Sequence, residues 1–101
     1  MMSRLEMIFT REQIERITEN LSTKTITVDL HGLSVKDAQR LLKNLMAINR
    51  EGYDICAIHG YNHGTAIKEM ITDSLNNPRL TEKKKVKGNY GRTLLKMNRA
   101  A

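Results

Sequence analysis

Twice in this chain an extended, apolar run ends in a histidine–glycine corner and passes directly into an amphipathic stretch. The first run, Thr25-Ile26-Thr27-Val28, leads into Asp29-Leu30-His31-Gly32. The second, Ile55-Cys56-Ala57-Ile58, leads into His59-Gly60-Tyr61-Asn62-His63-Gly64. A strand that turns through glycine into a helix is a βα unit, and two in succession favour parallel pairing with right-handed crossovers. Such corners gather polar side chains and free backbone N–H groups at one edge of a sheet. Two of them, both with an imidazole, point to a single polyanion-binding or catalytic edge.

The remaining elements fit around these units. Thr10-Arg11-Glu12-Gln13 has the form of a capping box, and Ile14, Ile17 and Leu21 follow at helical spacing. This predicts a first helix over residues 11–20, an accessory element whose charges nearly cancel. Ser34 caps a second helix, with Asp37 in its first turn and Gly52 at its C′ position. Its apolar face is Val35, Ala38, Leu41, Leu42, Leu45, Met46 and Ile48 or Asn49. Residues 53–58 form the second strand. Thr65 is the cap of a third helix from Ala66 to about Leu75, which Asn76-Asn77-Pro78 stops. The chain closes with a hairpin: a strand over residues 81–87, a turn at Gly88-Asn89-Tyr90-Gly91, and a strand over residues 92–97. The expected fold class is α/β, a two-layer α/β sandwich. It reads βαβαββ, with a mixed four-stranded sheet and an extra N-terminal helix. Residues 1–22 form the helical extension and residues 23–101 the main domain.

Hydrophobic residues make up 40% of the chain, which argues against disorder. No apolar run is long enough to span a bilayer, and the first residues do not resemble a signal peptide. The single cysteine, Cys56, sits inside an apolar strand as an inert thiol, which suits a reducing, cytoplasmic location. The net charge of +6 is unevenly placed: residues 79–99 hold eight basic residues against Glu82. That segment sums to +7 and the rest of the chain to −1. Charge concentrated in this way favours a polyanionic partner, nucleic acid ahead of a membrane, since no strongly amphipathic basic helix accompanies it. The alternative is a Lys-rich edge strand that resists aggregation.

Asp29 and His31 lie two apart in a strand and share a face, with Leu30 turned to the core. A carboxylate beside an imidazole fixes its tautomer and suits it to general acid–base work. A surface histidine simply hydrogen-bonded to its neighbour is the other reading. In the second loop, Gly60, Asn62 and Gly64 tolerate positive φ, so several N–H groups can turn inward as a nest for phosphate. His59 stands at its entrance and His63 within it. A tight β-to-α turn that merely needs glycine explains the same residues. Tyr61 and Tyr90, two of three tyrosines, can stack on unpaired bases or cover apolar surface. A zinc site from Asp29, His31, His59 and His63 matches no familiar spacing.

Taken in order, Asp29-Leu30-His31-Gly32, then Ile58-His59-Gly60-x-x-x-Gly64, then Gly88-Asn89-x-Gly91-x-Thr93-x-Leu95-x-Met97 closely resemble the motifs of the Smr (small MutS-related) domain. That family carries a D-L-H-G motif, an H-G-x-G-x-G loop and a closing G-G-x-G-x-T-x-V-x-L strand. The resemblance spans roughly residues 23–98. Asparagine stands for glycine at positions 62 and 89; its tolerance of left-handed backbone suits the family's loop shape, while its added amide crowds a phosphate approaching the nest. The sheet implied is similar to that of the C-terminal domain of the third bacterial translation initiation factor. Its strand order is 1-2-4-3, with the last strand antiparallel, which brings the hairpin turn to the edge of both histidines.

The resemblance implies a nucleic-acid-binding protein with endonuclease activity, cleaving phosphodiesters in RNA or DNA. On RNA no metal is required: His31, oriented by Asp29, is the base, His59 the acid or phosphate contact, and Arg92 a charge stabiliser. On DNA, which lacks the 2′-nucleophile, Asp29 would help hold a divalent cation such as magnesium. Gly60, Tyr61, Asn62, His63, Gly64, Lys85, Lys87, Tyr90 and Arg92 form the expected nucleic-acid surface. The alternative is a non-catalytic module recognising structured or branched nucleic acid. Whether a protein partner supplies targeting, and the oligomeric state, stay open at this point.

Overall fold

The computed structural model describes residue 5, residues 7–60 and residues 65–101. The elements run α1 (Arg11–Glu15), β1 (Ile17–Asn20), β2 (Thr25–Asp29), α2 (Val35–Ile48), β3 (Asp54–Ile58), α3 (Ala66–Glu69), β4 (Leu80–Val86) and β5 (Asn89–Met97). A π-helical turn over Met70–Ser74 continues α3. One sheet holds these strands in the order β1-β2-β3-β5-β4. β2 and β3 are parallel, and every other neighbouring pair is antiparallel. The last four strands therefore have the expected βαβαββ topology, with the final strand inserted between its two predecessors.

The first strand departs from expectation. The capping box forms, with Thr10 Oγ1 accepting from the Gln13 amide at 3.2 Å and Gln13 Oε1 from the Thr10 amide at 2.9 Å. The helix nevertheless ends at Glu15 rather than near Asn20. One short turn of helix has little stability of its own. Beyond it, Ile17 and Glu19 alternate onto one face and pair with Val28 and Ile26 of β2. Ile17 is buried there, whereas Leu21 lies exposed in the turn that follows. The sheet thus gains a fifth strand, and the segment before residue 23 is part of it.

Ser34 Oγ accepts from the Asp37 amide at 3.1 Å and caps α2 as expected. Ala38, Leu41, Leu42, Leu45, Met46 and Ile48 are buried, while Val35 is partly exposed. Asn49 is wholly buried at the C-cap, where its side chain exchanges hydrogen bonds with the Tyr53 backbone at 2.8 and 3.0 Å. Gly52 is not the C′ residue. It lies three residues beyond the cap at φ +72, where a Cβ would sit 2.6 Å from the Arg99 backbone nitrogen. Close passage of the C-terminal segment demands glycine there.

Thr65 makes no capping bond; its hydroxyl donates to Glu69 Oε1 at 2.8 Å. The third helix still stops at Ser74, just before Asn76-Asn77-Pro78. Ile26, Val28, Ile55, Ala57, Leu95 and Met97 on one face of the sheet pack with the buried faces of α2 and Met70, Ile71 and Leu75. Each such side chain contributes roughly 1.5–3 kcal/mol on burial, so this layer holds the sheet edge in place. Among the described residues no helix is long and apolar enough to cross a membrane.

Candidate functional site

Because β2 and β3 are parallel and in register, their C-terminal ends, Asp29 and Ile58, are direct neighbours. The Leu30 amide donates to the Ile58 carbonyl at 2.8 Å and extends the pairing by one step. Both histidine corners therefore leave the same edge side by side. β4 runs in the same direction as β3, so its turn into β5 at Lys87 and Gly88 reaches that edge too.

The first corner is a tight turn closed by the Leu33 amide donating to the Leu30 carbonyl at 3.1 Å. Gly32 has φ +84, the left-handed value required at the third residue of such a turn. His31, the second residue, is exposed. Asp29 Oδ1 accepts the His31 backbone N–H at 2.9 Å, so the carboxylate orients the corner through the main chain. Arg16 adds a clamp that the sequence did not reveal. Its Nη1 donates to the Asp29 carbonyl at 3.0 Å and to the His31 carbonyl at 2.9 Å.

His59 is buried, with 6% of its surface exposed. Its Nδ1 lies 2.9 Å from the Gly60 carbonyl and its Nε2 3.0 Å from Thr93 Oγ1. A carbonyl only accepts, so Nδ1 carries the proton and, in the neutral ring, Nε2 accepts from the Thr93 hydroxyl. This ring ties the end of β3 to β5. Thr93, itself buried, is a site residue that the sequence marks only by its place in the closing motif. Gly60 has φ +75, and a Cβ on it would sit 3.1 Å from the Cδ2 atom of His31. The two corners thus meet where the His31 ring lies against a residue with no side chain.

The hairpin supplies the third part. Val86 pairs with Asn89 while Lys85 pairs with Thr93, so Tyr90, Gly91 and Arg92 bulge out of the β4 ladder. The Gly91 carbonyl accepts from the His59 amide at 2.9 Å and the Gly60 amide at 3.1 Å. Asn89 Oδ1 accepts from the Gly91 amide at 3.1 Å. Asn89 does not adopt positive φ, so it is no mere glycine substitute. Its side chain holds the bulge whose Gly91 carbonyl accepts the His59 and Gly60 amides.

The expected binding residues divide between two faces. Asp29, Ile58 and Arg92 stand in one row across β2, β3 and β5. Arg92 shares the face of Asp29, about 9–10 Å away across two strand spacings. Lys85 is opposite Thr93 and so points to the helix-bearing face, while Lys87 occupies the turn. Tyr90 is 75% exposed, available for stacking. Tyr61, Asn62, His63 and Gly64 lie outside the described residues.

Part of the basic segment serves the fold. Arg79 donates to the Met46 and Asn49 carbonyls at 2.6 and 2.7 Å, capping the C-terminus of α2. Lys83 Nζ donates to the Thr72 carbonyl at 3.1 Å, and Lys96 pairs with Asp54 at 2.9 Å. Lys84, Lys85, Lys87, Arg92 and Arg99 take no part in these contacts. Among the described residues no group of three or more His, Cys, Asp or Glu side chains is placed to hold a metal ion.

The architecture matches a solved structure, the Smr domain of Thermus thermophilus MutS2, with a TM-score of 0.63. The match covers 71% of this chain and 96% of that one at 22% sequence identity. The chain has an Smr-like fold. No family model and no curated protein matches it by sequence. The extra strand β1 and the Arg16 clamp are thus features of this Smr-like chain that its motifs do not announce.

Proposed function

We propose that this Smr-like domain binds nucleic acid and cleaves its phosphodiester backbone, with RNA as the favoured substrate. The observation that carries the reading is the exposed His31 imidazole lying against Gly60, at the edge shared with the cationic hairpin turn. A phosphate approaching that edge meets a solvent-accessible imidazole beside bare backbone, with Arg92 and Lys87 to offset its charge.

On RNA, the His31 imidazole takes the 2′-hydroxyl proton and the 2′-oxygen attacks the adjacent phosphorus. The bond to the 5′-oxygen of the next nucleotide breaks, and that oxygen takes a proton from solvent. The products are a 2′,3′-cyclic phosphate and a free 5′-hydroxyl. His59, with both ring nitrogens engaged, holds the end of β3 and Gly60 against β5 rather than supplying that proton. Arg92 stabilises the charge that builds on the phosphoryl oxygens.

A non-catalytic binding module is the second reading. It is favoured by the same internal satisfaction of His59 and by the Asp29 carboxylate spending a bond on a backbone amide. Incubation with labelled single-stranded RNA, duplex RNA and branched DNA, with and without magnesium, separates the two. Cyclic-phosphate ends without magnesium support the nuclease. Tight binding with intact substrate in every lane supports the module.

A further inference from the structure

The outer surface of α2 has no role at the His31 corner. Its buried positions face the sheet, and Lys36, Arg40 and Lys43 follow one another along the opposite, exposed side. With Gln39 and Asn44 they line a shallow groove of about 280 Å³. No acidic residue lines it; the nearby Asp37 lines a separate cleft with Glu12 and Arg16. All five lining side chains bear hydrogen-bond donors, and none of the three cations makes an ion pair within the described structure. Donors and positive charge without a carboxylate suit a phosphate backbone.

In sequence the groove begins close to the corner. Lys36 follows His31 by five residues and stands in the first turn of α2. At 1.5 Å per residue the cations span about 10 Å of the helix axis, enough for two to three phosphates of one strand. α2 covers one face of the sheet while Asp29 and Arg92 share the other, so a strand running from the hairpin turn past His31 onto α2 turns around the sheet edge. A duplex is stiff over roughly 150 base pairs and does not follow such a bend cheaply. A single strand does.

We propose that the Lys36-Arg40-Lys43 ridge is a backbone track for the single-stranded flank of the nucleic acid held at the His31 corner. This rests on the nucleic-acid reading above. The ridge does not touch the reacting phosphate; it extends the footprint and favours substrates with unpaired flanks.

The test is binding of a 4-nucleotide and a 12-nucleotide single-stranded RNA, and of a 12-base-pair duplex, to wild type and to the triple variant Lys36→Gln, Arg40→Gln, Lys43→Gln. Wild type should bind the 12-mer on the order of 10–100-fold more tightly than the 4-mer, and the triple variant should lose that gain. Its salt slope on the 12-mer should fall by about 2, at roughly 0.7 for each phosphate no longer neutralised. Glutamine is a good helix former, and an unchanged melting temperature confirms an intact fold. A triple variant with the wild-type length dependence and slope overturns the track while leaving the nucleic-acid reading intact. A loss confined to the duplex overturns the single-stranded occupant. A wild type that binds none of the three probes overturns the function reading, and the track with it.

Discussion

The His31 imidazole lies against the bare backbone of Gly60: a Cβ there would come within 3.1 Å of its Cδ2 atom. Two corners that are 29 residues apart in sequence are joined at this point. The contact exists because β2 and β3 are parallel and end together. It accounts for the glycine twice, through space for the ring and through a φ of +75.

Replacing Gly60 by Ala should therefore cost more than an ordinary loop substitution. Left-handed backbone at a residue with a Cβ costs about 1–2 kcal/mol, and the methyl also presses the His31 ring out of place. Denaturant unfolding should show that loss, and the His31 ring resonances should shift. A variant as stable as wild type, with an unmoved His31, would contradict the contact.

Thr93→Val tests the buried His59 clamp. The isosteric change removes the hydroxyl from His59 Nε2 and leaves a buried nitrogen without its partner, at roughly 1–3 kcal/mol. Thr93→Ser keeps the hydroxyl and should recover most of that loss. Urea denaturation of both variants checks the pair; equal stability of the valine variant and wild type would mean that the hydrogen bond contributes nothing.

The basic residues should separate into two classes. Arg79→Ala removes the cap on the α2 carbonyls and should lower stability by about 2 kcal/mol, leaving the salt dependence of nucleic-acid binding unchanged. Lys85→Gln with Lys87→Gln should do the opposite: stability within about 0.5 kcal/mol, but a salt slope on duplex reduced by nearly 2. Titrations at several salt concentrations, alongside melting curves, distinguish them. A reduced slope for Arg79→Ala would show that its guanidinium serves a ligand after all.

The motif corners are legible in sequence because each needs glycine at a fixed place, and Gly32 and Gly60 both take positive φ. Two βα units and a closing hairpin mark the elements, while the order with the last strand inside is legible only through the family resemblance. The strand β1 is not legible, since Ile14, Ile17 and Leu21 satisfy a helical period while Ile17 and Glu19 also satisfy a strand's. Only pairing with Val28 and Ile26 decides between them. Arg79 looks like its basic neighbours because sequence does not show whether a guanidinium meets solvent or a helix end. The burial of His59 does leave a trace: it continues the two-residue alternation of Ile55 and Ala57, both in the core. Asn89 resembles a glycine substitute in sequence because its side-chain bond to the Gly91 amide depends on a bulge that only the register reveals.

The most direct test of the central claim is the cleavage rate of His31→Ala on single-stranded RNA, measured beside its binding and unfolding. His31 is exposed at a turn, so its loss should change stability by no more than about 0.5 kcal/mol. Binding, carried by the hairpin cations, should persist. Removal of the base should slow cleavage by roughly 10²–10⁴-fold. Cleavage at the wild-type rate by a folded, RNA-binding His31→Ala protein would contradict the account.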